Sequence, residues 1–268
     1  MTVYPNAKIN IGLWVTGKRP DGYHDIVTVF YPVALCDTLE IELSGNEKPA
    51  FSCAGTGLMH EPPAENLCCK AYRLLDEAYG LPPARISLHK HIPTGAGLGG
   101  GSSDAAFTLR TLNKLCRLRL SEALLAEHAA QLGSDCAFFL HRKPALGTGK
   151  GDVLHPLPLS LAPYRILLAK PPVAVSTAEA YARVQPVAPR HHLPDLLQLP
   201  VTEWRRCVTN DFESPIFAVH PEIADIKRRM YDLGAVYASM SGSGSVVYGI
   251  FERLPSRKAF EETEVWRE

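Results

Sequence analysis

The sequence predicts an α+β fold rather than a doubly wound parallel sheet. The first fifty residues read as strands, the middle of the chain as helices, and the last third as mixed elements, with no long-period repeat to order them. The Pro-rich stretch Pro156–Pro163 marks a soft boundary within the 268 residues, which predicts two domains, 1–155 and 156–268.

Taken in order, Lys8–Thr16 alternates in hydrophobicity, and Ile26–Leu43 is rich in Val, Ile, Phe, Tyr and Leu, so both read as strand. Between them Gly17-Lys18-Arg19-Pro20-Asp21-Gly22 has the composition of a turn. Glu65–Tyr79 reads as a helix, with apolar positions at Leu67, Ala71, Leu74, Leu75 and Ala78. Arg85–Ile92 alternates as a strand, Asp104–Leu112 reads as a helix, and Ser121–Leu132 as another. Gly147–Asp152 is a second glycine-rich turn, and Arg165–Lys170 a short apolar strand ended by Pro171-Pro172. Residues 176–184, 210–218 and 221–233 read as helical, and Gln185–Pro200 as a loop with one helical turn. Ser239–Ser245 is a third small-residue loop, followed by a strand over Val246–Phe251.

A hydrophobic content of 46% with 21% charged residues describes a globular protein with a sizeable core. Lys plus Arg equals Asp plus Glu, 28 each, so no bulk field draws nucleic acid or a membrane surface. No apolar run approaches a bilayer span and no signal-like segment precedes Pro5, which predicts a cytoplasmic protein. The seven cysteines form no CxxC pair and read as reduced structural thiols. The ten histidines show no HExxH and no metal-ligand spacing.

The chemistry concentrates first in Gly95-Ala96-Gly97-Leu98-Gly99-Gly100-Gly101-Ser102-Ser103, where five of nine residues are glycine and a strand precedes and a helix follows. A side-chain-free loop that opens a helix offers bare N–H groups at the positive end of the helix dipole, an anion site and most often a phosphate site. Gly95, Gly97 and Gly100 fit G-x-G-x-x-G, but a dinucleotide fold wants an acidic residue about twenty positions on at a strand end, and Glu122 falls at a helix start. No Lys-Ser/Thr pair follows as in a P-loop, and no H-R-D or D-F-G accompanies it as in a protein kinase. A flexible linker is not bracketed by a periodic strand and an Ala-rich helix. Ser102 and Ser103 can donate to phosphate or ligate magnesium; the plain alternative is that one of them caps the helix.

Four further features carry potential chemistry. Lys8 and Asn10 face one way from a strand, either into a cleft or onto an exposed face. Asp135, in Gly133-Ser134-Asp135-Cys136-Ala137-Phe138-Phe139, is either the N-cap of a short helix or a carboxylate held against an apolar wall, able to accept a proton from a hydroxyl. Asp21-Gly22-Tyr23-His24 is a turn followed by an aromatic that could stack on a planar ring and an imidazole. The loop Ser239–Ser245 suits close approach to another backbone or to phosphate oxygens.

Pro93-Thr94-Gly95-Ala96-Gly97-Leu98-Gly99-Gly100-Gly101-Ser102-Ser103-Asp104-Ala105-Ala106 resembles the phosphate motif of the GHMP small-molecule kinases. Pro5–Leu13 and Met240–Ser245 resemble that family's first and third motifs, so the likeness spans nearly the whole chain. The resemblance implies the two-domain GHMP kinase fold, an N-terminal ribosomal-protein-S5-like α/β domain and a C-terminal ferredoxin-like α+β domain. Three details resemble the branch that acts on 4-diphosphocytidyl-2-C-methyl-D-erythritol: Asn6–Asn10 followed by Arg19–His24, the extra glycine in Gly99–Ser103, and Gly133–Phe139.

That resemblance implies ATP-dependent phosphorylation of the substrate's 2-hydroxyl, with Mg2+, in the non-mevalonate isoprenoid precursor pathway. By resemblance Asp135 matches the catalytic carboxylate and Lys8 the lysine beside it. Asn10 resembles a contact to the methylerythritol hydroxyls, and Tyr23 and His24 the cytosine-binding pair, with Tyr181 as second aromatic and Thr177 nearby. Asn66 and Lys90 resemble positions lining the adenine pocket. Pro93, Gly95, Gly97, Leu98, Gly99, Gly100, Gly101, Ser102 and Ser103 form the ATP phosphate site, and Mg2+ enters through ATP with Ser102 or Ser103 as a hydroxyl ligand. The expected partners are the two small molecules alone, with no nucleic acid and no membrane, bound by a monomer or homodimer. Two alternatives stand beside this: a GHMP kinase for homoserine, mevalonate or a sugar, and a catalytically silent nucleotide-binding regulator. The Tyr23-His24 turn argues against the first, since a cytosine ring gives Tyr23 something to stack on. Lys8 and Asp135 together argue against the second, since a mere binder needs no proton acceptor.

Overall fold

Alternation and helical spacing translate into elements whose ends are set by local capping. The computed structural model describes residues 1–45, 48–55, 62–189, 191–256, 260 and 263–267. In chain order the strands are β1 (Thr2–Val3), β2 (Asn6–Lys18), β3 (His24–Cys36), β4 (Thr38–Leu43) and β5 (Ala50–Gly55), followed by α1 (Leu67–Tyr79), β6 (Ala84–Lys90), α2 (Gly100–Leu115), α3 (Glu122–Leu132) and α4 (Cys136–His141). Then come β7 (Ala145–Thr148), β8 (Val153–Pro156), β9 (Arg165–Lys170), α5 (Thr177–Arg183), α6 (Leu193–Leu196), α7 (Glu213–Phe217), α8 (Pro221–Asp232), β10 (Tyr237–Met240), β11 (Val247–Phe251) and β12 (Glu264–Arg267).

The chain forms two compact units. The first comprises Met1–Ala7, Ala34–Thr94 and Gly99–Arg142. Its sheet has the order β1-β4-β6-β5, with β4 antiparallel to β1 and β6, and β5 parallel to β6. The inward face of β6 reads Ala84, Ile86, Leu88 and Lys90, alternating with outward positions as the period-two pleat requires. Helices α1 and α2 pack their apolar faces with this sheet through Cys68, Ala71, Leu75, Ala105, Leu109 and Leu112. Asn66 starts α1 by accepting the Cys68 N–H, and Gly80 ends it at a left-handed φ of 63°. Ser121 caps α3 through the Leu124 N–H.

The second unit comprises Lys8–Val33, Gly95–Leu98 and Lys143–Glu268. It contains a sheet ordered β2-β3-β7-β8 and an antiparallel sheet ordered β10-β11-β9-β12. The core of the latter gathers Leu167, Ala169, Ala238, Val247 and Phe251 with Ile223, Ile226 and Met230 of α8, whose spacing of three and four puts them on one face. Tyr248, fully buried, donates its hydroxyl to the Asn10 carbonyl at 2.9 Å and so fastens β11 to β2.

Several boundaries differ from the sequence reading. Gly17 and Lys18 belong to β2, and the turn proper narrows to Pro20–Gly22. The helix expected from Asp104 begins four residues earlier, at Gly100, because Gly99 adopts a left-handed φ of 70° and takes the N-cap position. Ser102 and Ser103 therefore lie in the first turn of α2, and neither is its cap. Ser239 and Met240 are strand residues of β10, which leaves 241–245 as the loop. The 3-10 segment Val201–Arg206 and the short strands β5, β7, β8, β10 and β12 went unforeseen, each too short or too polar to show a period. The single helical turn expected within 185–200 is α6; residue 190 of that stretch lies outside the described residues.

Replacing Tyr248 by Phe would leave the buried Asn10 carbonyl without this donor. A loss of about 1–3 kcal/mol is expected in denaturant unfolding, with an unchanged m-value.

Candidate active site

In the first unit Gly99–Gly101, the end of the glycine run, open α2 without a side-chain cap. Gly99 offers none, and its carbonyl accepts the Ser103 N–H at 2.9 Å, so the helix starts with bare main-chain donors. Sixteen residues of aligned dipole stand behind them. Ser102 is half-buried, whereas Ser103 is fully buried and its hydroxyl makes no hydrogen bond. Asp135 precedes α4, whose Cys136, Ala137, Phe138 and Phe139 are all buried. Its side chain makes no capping hydrogen bond to α4, so the cap reading fails; Ser134 donates to its Oδ1 at 3.4 Å. Cys136 is buried beside Ser102, and burial pushes its thiol up to about 12, which keeps it inert. The Asn66 carboxamide oxygen is committed to capping α1.

Lys90, expected to line an adenine pocket, is buried at the inward end of β6. Its ammonium donates to Asp37 and, at 2.7 Å, to Asp104 of α2. Burial raises the Asp104 carboxyl to about 8, while the two carboxylates raise Lys90 and hold it charged. Sequence reasoning missed Asp37 and Asp104. The signal was available: a lysine in phase with Ala84, Ile86 and Leu88 must find acid partners inside.

In the second unit Lys8 and Asn10 are buried, not exposed, and come together with two loops. The Lys8 ammonium donates to Asn10 Oδ1 at 2.6 Å and to the Gly97 carbonyl at 2.9 Å, and lies 5.5 Å from the Phe30 ring centroid. Its main-chain N–H holds the Leu98 carbonyl at 3.0 Å. Ser241 donates to the same Gly97 carbonyl at 2.8 Å and accepts the Asn10 N–H, and Val246 N–H reaches the Ala96 carbonyl. Gly97 has φ of 76°, and a Cβ there would sit 1.9 Å from the Ser241 carbonyl oxygen. Only glycine fits. Asn10 Nδ2 donates to Thr28, which in turn donates to the Gly12 carbonyl. The third loop is held by Asn210, whose Nδ2 donates to the Met240 and Gly242 carbonyls, and by Glu213, which accepts from Ser239 and the Met240 N–H. Thr28, Asn210 and Glu213 carried no motif signal.

The ring cluster of this unit has its own order. His24 stacks on Tyr181 at 4.8 Å and 25°, and Tyr181 meets Phe212 edge-on at 4.9 Å. Thr177 opens α5 one helical turn before Tyr181. Tyr23 is 60% exposed, and its ring lies under the Lys150 ammonium at 4.7 Å rather than in the His24 stack. Pro93 and Leu98 are buried, and Gly95 has a positive φ of 61°. Among the described residues no group of three or more His, Cys, Asp or Glu forms a metal cluster.

Asp104 gives folding a pH dependence. Below its unfolded value of 3.8 both states hold the proton; between 3.8 and about 8 the unfolded chain releases it and the folded protein keeps it. Stability from this group therefore falls as pH rises through that window. Asp104→Asn mimics the protonated acid, so its midpoint of thermal unfolding relative to the wild type should climb between pH 5 and 8; a constant difference would contradict the assignment.

Residues 66–143 match the family model described as GHMP kinases N terminal domain, and residues 193–263 that described as GHMP kinases C terminal. A 4-diphosphocytidyl-2-C-methyl-D-erythritol kinase of Bacteroides thetaiotaomicron is 53% identical over 253 residues, covering 94% of this chain and 92% of its own. A crystal structure of 4-(cytidine 5'-diphospho)-2C-methyl-D-erythritol kinase superposes with a TM-score of 0.84 at 34% identity, covering 100% of this chain and 98% of its own. The mevalonate kinase of Methanococcus jannaschii, at 13% identity and a TM-score of 0.72 over 100% of this chain and 97% of its own, shares the fold. With an uncapped glycine-rich helix start, a buried lysine on β2 and identity of this extent, the chain belongs to the 4-diphosphocytidyl-2-C-methyl-D-erythritol kinase family of the GHMP kinases.

Proposed function

We propose that the protein transfers the γ-phosphoryl group of ATP to the 2-hydroxyl of 4-diphosphocytidyl-2-C-methyl-D-erythritol, in isoprenoid precursor synthesis. The observation that carries this reading is the start of α2, a helix N-terminus with a glycine in the cap position and no side-chain acceptor on its first N–H groups. Phosphoryl transfer demands positioning and charge stabilisation more than covalent chemistry. Those donors, Gly95, Gly97 and Gly99 to Gly101, with Ser102 and Ser103, bind the phosphates of ATP, beside Pro93 and Leu98. Asn66 and the main chain of Lys90 serve the adenine end.

Asp135 accepts the proton of the 2-hydroxyl as its oxygen bonds to the γ-phosphorus and the bond to the β-phosphate oxygen breaks, releasing ADP. Its freedom from capping duty supports this role. Lys8 opposes the charge of the transferring group, with its ammonium already aimed along the Gly97 carbonyl. Asn10 contacts the methylerythritol hydroxyls. Tyr23, His24, Tyr181 and Thr177 receive the cytosine, and the His24–Tyr181 stack supports that assignment. Mg2+ fits the donor set: hydroxyls of the first turn of α2, with half-buried Ser102 as the accessible one, suit an ion that keeps its waters and arrives on phosphate. Bound, it would neutralise phosphate charge.

As domain limits we propose 1–155 and 156–268; the N-terminal family match ends at residue 143 and the C-terminal one begins at 193. We assign the protein to the cytoplasm, as a monomer or homodimer. All seven cysteines are free thiols, and among the described residues no helix is long and apolar enough to cross a membrane.

Magnesium ATP with the diphosphocytidyl substrate should yield ADP, and homoserine in its place should not; the reverse result rejects the substrate assignment. Asp135→Ala should lower kcat by about 10²- to 10⁴-fold while ATP binding by calorimetry stays near the wild-type value. Turnover at the wild-type rate would reject Asp135 as the base. Tyr23→Ala should raise KM for the diphosphocytidyl substrate by roughly 5- to 10-fold, the worth of one aromatic stack, with KM for ATP unmoved.

A further inference from the structure

We propose that the side chains of Asp37, Lys90 and Asp104 form a buried positioning cluster that aligns the first turn of α2 with the segment leading into the glycine run, and thereby sets affinity for ATP without those side chains touching it. The proposal rests on reading the start of α2 as the triphosphate site. Asp37 is the single residue between β3 and β4 and is fully buried. Its Oδ1 accepts the main-chain N–H groups of His91 at 2.5 Å and Ile92 at 2.8 Å, the first two residues after β6. Its Oδ2 accepts the Lys90 ammonium, which reaches Asp104 Oδ2 in the first turns of α2. One carboxylate thus holds the entry to the loop, another the helix that leaves it, and a single ammonium joins them.

The cluster has no slack. A Cβ on Gly100 would come 3.1 Å from the Lys90 ammonium and 2.9 Å from Ile92, and one on Gly55 of β5 would come 2.2 Å from the Lys90 carbonyl oxygen. Backbone therefore closes on the lysine from both sides. One cation between two acids carries a net negative charge unless a proton is held. Asp104 Oδ1 has no hydrogen-bond partner, and burial pushes the Asp104 carboxyl up to about 8. The groups facing Asp104 are Lys90 of β6, Asp37, and the thiols of Cys68 on α1 and Cys53 on β5. At neutral pH a proton on Asp104 leaves the cluster neutral; above about 8 its loss sets two buried carboxylates against each other beneath the helix start.

Asp104→Leu removes the tie to α2, and Asp104→Asn keeps an acceptor for Lys90 without the charge. Calorimetric titration with ATP and steady-state kinetics in both substrates, from about pH 6.5 to 9.5, separate their effects. We expect Asp104→Leu to weaken ATP binding and raise KM for ATP about tenfold, the scale of one charge-assisted hydrogen bond, with KM for the diphosphocytidyl substrate within about twofold. Asp104→Asn should restore ATP affinity at pH 7 and abolish the rise in KM for ATP expected of the wild type between pH 7 and 9. Where the Leu variant gives no folded protein, the wild-type and Asn pH profiles decide alone. A Leu variant whose KM values are both unchanged, or an Asn profile parallel to the wild type, overturns the proposal. A wild type that binds no ATP overturns the phosphate-site reading and this inference with it; a wild type that binds ATP with an unresponsive cluster overturns this inference alone.

Discussion

Gly97 passes so close to the Ser241 carbonyl that no side chain fits between them. That approach lets the Gly97 carbonyl receive both the Lys8 ammonium and the Ser241 hydroxyl. Three segments far apart in sequence, β2, the glycine run and the loop after β10, are thereby joined at one oxygen. A buried ammonium is costly unless its donors are met. Two of the acceptors that meet them here are the Gly97 carbonyl and the Asn10 carboxamide.

The second buried lysine is held by two acids. Lys90 faces Asp37 and Asp104, so its charge is spent within the protein. The strand alternation places both side chains inward, at Lys8 in β2 and Lys90 in β6.

Much of the candidate site's local structure was legible because its residue types have few other uses. A glycine run between a strand and an Ala-rich helix has little reason to exist other than to bare a helix N-terminus, and α2 begins just as that reading requires, though four residues early. Asp135 was ambiguous in sequence, since an acid before a short helix usually caps it; its side chain makes no cap bond to α4. Tyr181 was placed by resemblance, and its stack with His24 gives it a physical partner. Asn210 and Glu213 were invisible because each acts on main-chain groups of a distant loop, and such contacts leave no period or motif.

By itself the sequence determined the class of fold, the helix and strand faces, the glycine-opened helix start and the family, because periodicity, glycine spacing and motif order are local properties of the chain. Only the tertiary structure decided which partners each buried polar group meets. Lys90 reads like Lys8 until Asp37 and Asp104 are seen around it, and Ser103 reads like Ser102 until one proves buried and the other half-open. The reason is physical: the electrostatic worth of a buried group is set by partners at arbitrary sequence distance, and only folding brings those partners into contact.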